Sequence, residues 1–197
     1  MRNYTHKAIV YGKGIIDVNI AIDGDEHWRA AYKSWYRMLM RCYYVKYKGH
    51  YGTYKDCTVC NEWLLLSNFK LWFDKNYVKG YDLDKDILFR NNKVYSPDTC
   101  CFVPSEINKL IIKRNKKRGS LPIGVYQPKE GLFLAQMGIN GKTKTIGCSK
   151  SANQAFLLYK SAKEAHIKEV AQKYYDEGKI AKRVYDALMK YEVEITD

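Results

Sequence analysis

Three short runs decide the reading of this chain: Gly124-Val125-Tyr126-Gln127, Leu132-Phe133-Leu134-Ala135-Gln136-Met137-Gly138-Ile139 and Lys142-Thr143-Lys144-Thr145-Ile146-Gly147-Cys148. The links between them are brief, Pro128-Lys129-Glu130-Gly131 and Asn140-Gly141. Asn-Gly between two apolar runs is the strongest short-range hairpin signal, because both residues tolerate the positive φ of a tight turn. The runs predict three antiparallel strands. A long helix is predicted next, with Ser149 or Ser151 as its N-cap and an apolar stripe of Ala152, Ala155, Phe156, Tyr159, Ala162, Ile167, Val170, Ala171 and Tyr174. Gly178 ends it, and a last helix covers roughly residues 180–191. A sheet must bury one face, and the helix stripe offers the surface to bury it on. Phe133, Ala135 and Met137 share one side of the middle strand and are assigned to the helix, while Leu134 and Gln136 point the other way. An exposed sheet face of this kind can enter a major groove and reach base edges.

Just before these strands lies the densest positive charge. Lys113, Arg114, Lys116, Lys117 and Arg118 are followed by Gly119-Ser120-Leu121-Pro122, which reads as a basic linker able to lie along phosphates. The whole chain of 197 residues carries a net +13, and residues 105–150 alone hold ten Lys and Arg against Glu106 and Glu130, a net +8. A strongly basic chain is drawn to polyanions, most often nucleic acid. No apolar stretch is long enough to span a bilayer, and the N-terminus lacks the apolar core of a signal peptide, so the expected setting is a cytoplasm. The sequence shows no Walker loop and no dinucleotide fingerprint. The expected organisation is residues 1–112, a linker at 113–120, and 121–197.

Upstream of the linker, residues 8–11 and 15–22 read as short strands. Trp28, Ala31, Tyr32, Trp35, Met38, Leu39 and Cys42 recur at helical spacing and predict a helix over residues 26–44. Residues 49–55 are turn-like, and a second helix is predicted over 62–73. Residues 83–88 and 100–103 read as strands, and Pro104 as the first turn of a helix reaching about residue 112. The fold class expected is α+β.

The glycines, aromatic residue and alanines of the C-terminal runs (Gly124-Val125-Tyr126, Gly131 to Ala135, Gly141-Lys142, Ile146-Gly147, then Ala152 and Ala155) resemble the APETALA-type DNA-binding domain. That domain occurs in plant transcription factors and attached to phage HNH homing endonucleases. The resemblance covers about residues 121–165 and implies a double-stranded DNA partner. The plant domains read DNA with several arginines on the sheet. Residues 121–165 contain no Arg here, and the matching strand positions hold Tyr126, Leu134, Gln136, Thr143 and Thr145. Lys129, Lys142, Lys144 and Lys150 remain for phosphates.

A second segment, Leu83-Asp84-Lys85-Asp86-Ile87-Leu88, Asn91-Asn92-Lys93 and Tyr95 to Asn108, is similar to the ββα-metal core of HNH nucleases. The resemblance implies an N-terminal HNH-like ββα core with flanking helices, a divalent cation such as Mg²⁺, and Asp84 and Asn108 as its ligands. Lys85 stands where the general-base His belongs, and Thr99 where a second Asn is usual. Lysine, with a reference pKa of about 10.4, is an acid at neutral pH. Three readings stay open: a nuclease whose base comes from elsewhere, with His27 and His50 as candidates; one in which Lys85 steadies phosphate charge; or an HNH-like fold that has lost cleavage and kept DNA binding. Trp35, Met38, Leu39, Arg41, Cys42, Tyr43, Trp63, Asn68, Phe69 and Trp72 are similar to the segment preceding the HNH-like core in such phage proteins. Read from the residues alone, they are core.

Cys57 and Cys60 form a C-x-x-C, and with Cys42 and His50 they make a conceivable zinc set; the alternative is buried free thiols. The expectation is thus a DNA-binding protein of the HNH endonuclease type from a phage or mobile element, with metal-dependent cleavage in question. The alternatives are a catalytically degenerate DNA-binding regulator, or a phage protein that binds a host protein.

Overall fold

The computed structural model describes residues 8–18, 25–46, 54–111, 120–139 and 141–197. The chain is mixed α+β and divides between Ser105 and Glu106 into two compact units. The expected boundary lay later, at residue 112. The basic run 113–118, His50, and most of the predicted turn at 49–55 lie outside the described residues.

The N-terminal unit opens with a hairpin, β1 (Ala8–Val10) and β2 (Gly14–Ile16), paired antiparallel. The second predicted strand is shorter than expected, and residues 19–22 of it lie outside the described residues. Helix α1 (Glu26–Tyr43) forms as predicted. Asp25 caps it by accepting the amides of His27 at 2.9 Å and Trp28 at 3.0 Å. Its stripe of Ala31, Trp35, Met38, Leu39 and Cys42 is fully buried. Burying a large apolar side chain contributes about 1.5–3 kcal/mol, so this face anchors the unit.

The second predicted helix is interrupted. A single 3₁₀ turn at Glu62–Leu64 gives way to an extended Leu65, which bridges Ile15, before helix α2 (Leu66–Asn76) starts. The groups that a continuous helix would pair find other partners. The Trp63 carbonyl accepts the Trp35 indole N–H at 2.7 Å, and the Ser67 amide donates to Asp17 at 2.9 Å. The break is tolerable because these backbone groups are satisfied.

Strand β3 (Thr58–Val59) runs parallel to β5 (Val94–Tyr95), and β4 (Tyr81–Asp84) antiparallel to β6 (Cys101–Pro104). The strand predicted over 83–88 therefore ends at Asp84. The Asp84 carboxylate accepts the amides of Asp86 and Ile87, both at 2.7 Å, and turns the chain out of the ladder. Pro104 is not in a helix: it closes β6 opposite Tyr81, and α3 (Ser105–Leu110) follows. A proline is tolerated there because β6 is an edge strand and Pro104 its last residue.

The C-terminal unit is the predicted sheet and helix. Strands β7 (Val125–Lys129), β8 (Leu132–Ile139) and β9 (Lys142–Ser149) form an antiparallel sheet in the order β7-β8-β9. It packs on α4 (Ala152–Asp176), and α5 (Lys182–Met189) follows. Ile139 pairs with Lys142, so the β8–β9 link is two residues long, as Asn-Gly requires. Lys129 pairs with Leu132, leaving Glu130-Gly131 as the other turn, so β7 runs further than expected. Val125, Ala135, Met137, Ala155, Phe156, Tyr159 and Val193 form the core, with Phe133, Ile139 and Ile146 packed against it. Ser151 holds the N-cap position of α4 without a side-chain cap bond; the Ser149 hydroxyl accepts the Ser151 amide instead, at 3.1 Å. Gly178, at φ +66°, follows the end of α4 as predicted. Glu106 of α3 accepts a hydrogen bond from the Tyr174 hydroxyl, which ties α3 to α4. Among the described residues no helix is long and apolar enough to cross a membrane.

Candidate nucleic-acid interface

The register separates the two faces of the β7–β9 sheet. Val125 stands opposite Ala135, and both belong to the core. The next row is therefore outward: Tyr126 opposite Leu134, which is in turn opposite Cys148. Gln136 stands opposite Thr145, and their side chains meet at 3.4 Å, confirming one shared face. Gly138 stands opposite Thr143. Tyr126 is 53% exposed, and Thr143, Thr145, Gly138 and Cys148 are exposed as well.

A β-bulge explains the arrangement of β9. The pairing shifts between Ala135 and Gln136, so Ile146 is an extra residue on β9 and packs into the core. Gly147 then stands opposite Ala135 on the helix side, where a Cβ would come within 3.0 Å of Leu158. Strict alternation from Thr143 would have placed Gly147 outward.

The β9 lysines are not on the outward face. Lys144 stands opposite Met137 and Lys142 opposite Ile139, both helix-side positions. Lys142 and Lys144 are exposed because β9 is an edge strand. Lys129 stands opposite Leu132, on the outward side at the β7–β8 hairpin end, and Lys150 follows β9; both are exposed. The centre of the outward surface is thus an uncharged floor of Tyr126, Leu134, Gln136, Gly138, Thr143, Thr145 and Cys148, with Lys129 at its hairpin end and exposed lysines at its strand edge. Lysines on an edge strand also discourage pairing with another chain. Of the interface residues expected from sequence, Tyr126, Gln136, Thr143 and Thr145 share this floor, and Lys129, Lys142 and Lys144 lie around it. Lys113, Arg114, Lys116, Lys117 and Arg118 lie outside the described residues. Gly138 and Cys148 were missed. Gly138 could have been found by alternation from Gln136, whereas Cys148 is hidden by the bulge.

The segment from Asp84 to Thr99 in the N-terminal unit is held by internal bonds. Lys85 is 5% exposed, and its ammonium donates to Asp86 at 2.6 Å and to the Asn92 carbonyl at 2.7 Å. It also lies 5.9 Å from the centre of the buried Tyr95 ring. The Asn92 amide donates to the carbonyls of Lys85 at 2.9 Å and Val94 at 2.6 Å. Thr99 donates to the Val94 carbonyl at 2.7 Å. Burial pushes the Asp84 carboxyl above the usual range, against the Ile87 and Asp86 amides that pull it down. One Asp84 oxygen is already occupied by those two amides. Asn108 lies half-buried on α3, beyond the division of the chain. The His27 imidazole meets Asp74 at 2.6 Å and packs edge-on against Phe73.

Cys42 and Cys57 are buried in the N-terminal core and Cys60 packs against it. Burial raises the Cys60 thiol, and pushes Cys100 up to about 12. Among the described residues no three His, Cys, Asp or Glu form a group that could hold a metal ion.

No protein-family model, no curated protein and no solved structure matches this chain.

Proposed function

We propose that this chain is a duplex-DNA-binding protein whose C-terminal sheet lies in the major groove, and whose HNH-like segment serves structure rather than cleavage. The observation that carries this reading is the outward face of β7–β9. Its centre offers hydrogen-bonding and methyl-bearing side chains without charge, framed by Lys129, Lys142, Lys144 and Lys150. A two-stranded ribbon such as β8–β9 fits a major groove about 12 Å wide. Lysines at its margin suit the phosphate walls, because they hold backbone as point charges. The net charge of +13 supports the same partner.

Lys85 supports the non-cleaving half of the proposal. A general base needs a free lone pair within reach of a water. Lys85 instead donates to Asp86 and Asn92 with little exposure. Asp84 and Asn108 are a poor fit to the divalent cation that the HNH resemblance implies. The Asp84 carboxyl is desolvated, and one of its oxygens already accepts two amides. No step is derived through a metal. A regulatory protein that occupies a site on phage or mobile-element DNA is the role this combination suits.

A gel-shift titration of duplex DNA at low and high salt, beside a plasmid-nicking assay with Mg²⁺ or Mn²⁺, tests both halves. Salt-sensitive binding without nicking is expected. Nicking that disappears in Asp84→Ala and Asn108→Ala would overturn the non-cleaving half. Absence of duplex binding at low ionic strength would overturn the DNA reading and leave a host protein as the partner to seek.

A further inference from the structure

We infer that the outward sheet face selects A·T base pairs, with Gln136 as the residue that reads adenine. The inference rests on the proposal that this face enters a duplex. Three observations carry it. First, Gln136 occupies the middle outward position of the middle strand, opposite Thr145. A glutamine amide presents one donor and one acceptor, which match the N7 acceptor and N6 donor of adenine in the major groove. Its contact with Thr145, at 3.4 Å, is long enough to be exchanged for a base.

Second, the neighbours of Gln136 on this face offer methyl groups. Leu134 flanks it on the same strand, and Thr143 and Thr145 flank it on β9. Aliphatic groups pack on the thymine C5-methyl, which G·C pairs lack. Third, the groups that read guanine are absent from the positions around Gln136. Guanine O6 and N7 are both acceptors and call for the fork of Arg or the ammonium of Lys. Residues 121–165 have no Arg, Lys142 and Lys144 leave β9 on the helix side of the sheet, and Lys129 stands at the hairpin end opposite Leu132, four residues along β8 from Gln136. Gly138 adds an open position, where a Cβ would meet nothing within 4 Å, so a base pair can approach the strand closely there.

Selection from a randomised duplex library by the full chain tests the inference, followed by titration of single base-pair changes. The recovered sites are expected to share an A·T core. Changing the pair read by Gln136 to G·C is expected to weaken binding roughly 5- to 150-fold. Gln136→Ala should erase the preference at that position while salt-sensitive duplex affinity persists. Gln136→Arg should move it to guanine, and this gain cannot arise from a misfolded variant. G·C-rich cores, or an A·T preference that Gln136→Ala leaves intact, would overturn the inference while DNA binding stands. If no duplex binds at low ionic strength, the underlying reading has failed instead.

Discussion

Lys85 and Asn92 bond each other's backbone reciprocally. The Lys85 ammonium donates to the Asn92 carbonyl at 2.7 Å, and the Asn92 amide donates to the Lys85 carbonyl at 2.9 Å. Two side chains seven positions apart thus close the loop that follows β4 and deliver Val94 to the β3–β5 pair. Lys85 is therefore a structural tie within the N-terminal unit.

Removing the tie should unfold the N-terminal unit more easily. Lys85→Met keeps most of the buried stem and loses the bonds to Asp86 and Asn92. Charge-assisted bonds of this kind contribute about 1.5–3 kcal/mol, so a loss of that size is expected. Urea titration by tryptophan fluorescence isolates the effect, because Trp28, Trp35, Trp63 and Trp72 all belong to the N-terminal unit. Duplex affinity should be unchanged. Unchanged stability would show that Lys85 is not a tie.

Asp84 gives the opposite sign. Its carboxyl is raised from 3.8 by burial, so ionisation in the folded state lowers stability as pH climbs from that value through the raised one. Asp84→Asn keeps an oxygen for the two amides and carries no charge. It is expected to be more stable than the wild type at neutral pH, with the difference closing as pH falls toward 3.8. Urea midpoints across that range decide it, and a loss of stability at neutral pH would contradict the expectation.

Gly124 should be intolerant of any side chain. Its φ is +74°, and a Cβ would lie 2.1 Å from the Tyr159 ring. Gly124→Ala is expected to destabilise the C-terminal unit by about 2–4 kcal/mol, combining backbone strain with overpacking. Thermal melting followed by far-ultraviolet circular dichroism reads the loss through α4. Gly138→Ala is the control, since its Cβ meets open space, and it should melt as the wild type does.

The C-terminal unit was legible because its signals are local. Asn140-Gly141 fixes a hairpin, and the stripe from Ala152 to Tyr174 fixes the helix that covers it. The bulge at Ile146 was not legible, since one extra residue leaves no mark in an alternating run. In the N-terminal unit, Leu83 to Leu88 alternates like a strand, yet the Asp84 side chain captures two amides and ends it. The break at Leu65 depends on Trp35 and Asp17, which come from distant elements and are invisible in a local window. The burial of Lys85 was hidden for the same reason: its partner Asn92 is brought to it only by the closed loop.

The salt dependence of duplex binding is the most direct test of the proposed interface. Each phosphate neutralised by a Lys adds about 0.9 to the slope of log K against log salt. Replacing Lys129, Lys142, Lys144 and Lys150 by Ala should therefore flatten that slope by up to about 3.6 relative to the wild type while the fold persists. A slope identical in the two proteins, or no binding by the wild type at low salt, would contradict a duplex held on the β7–β9 face.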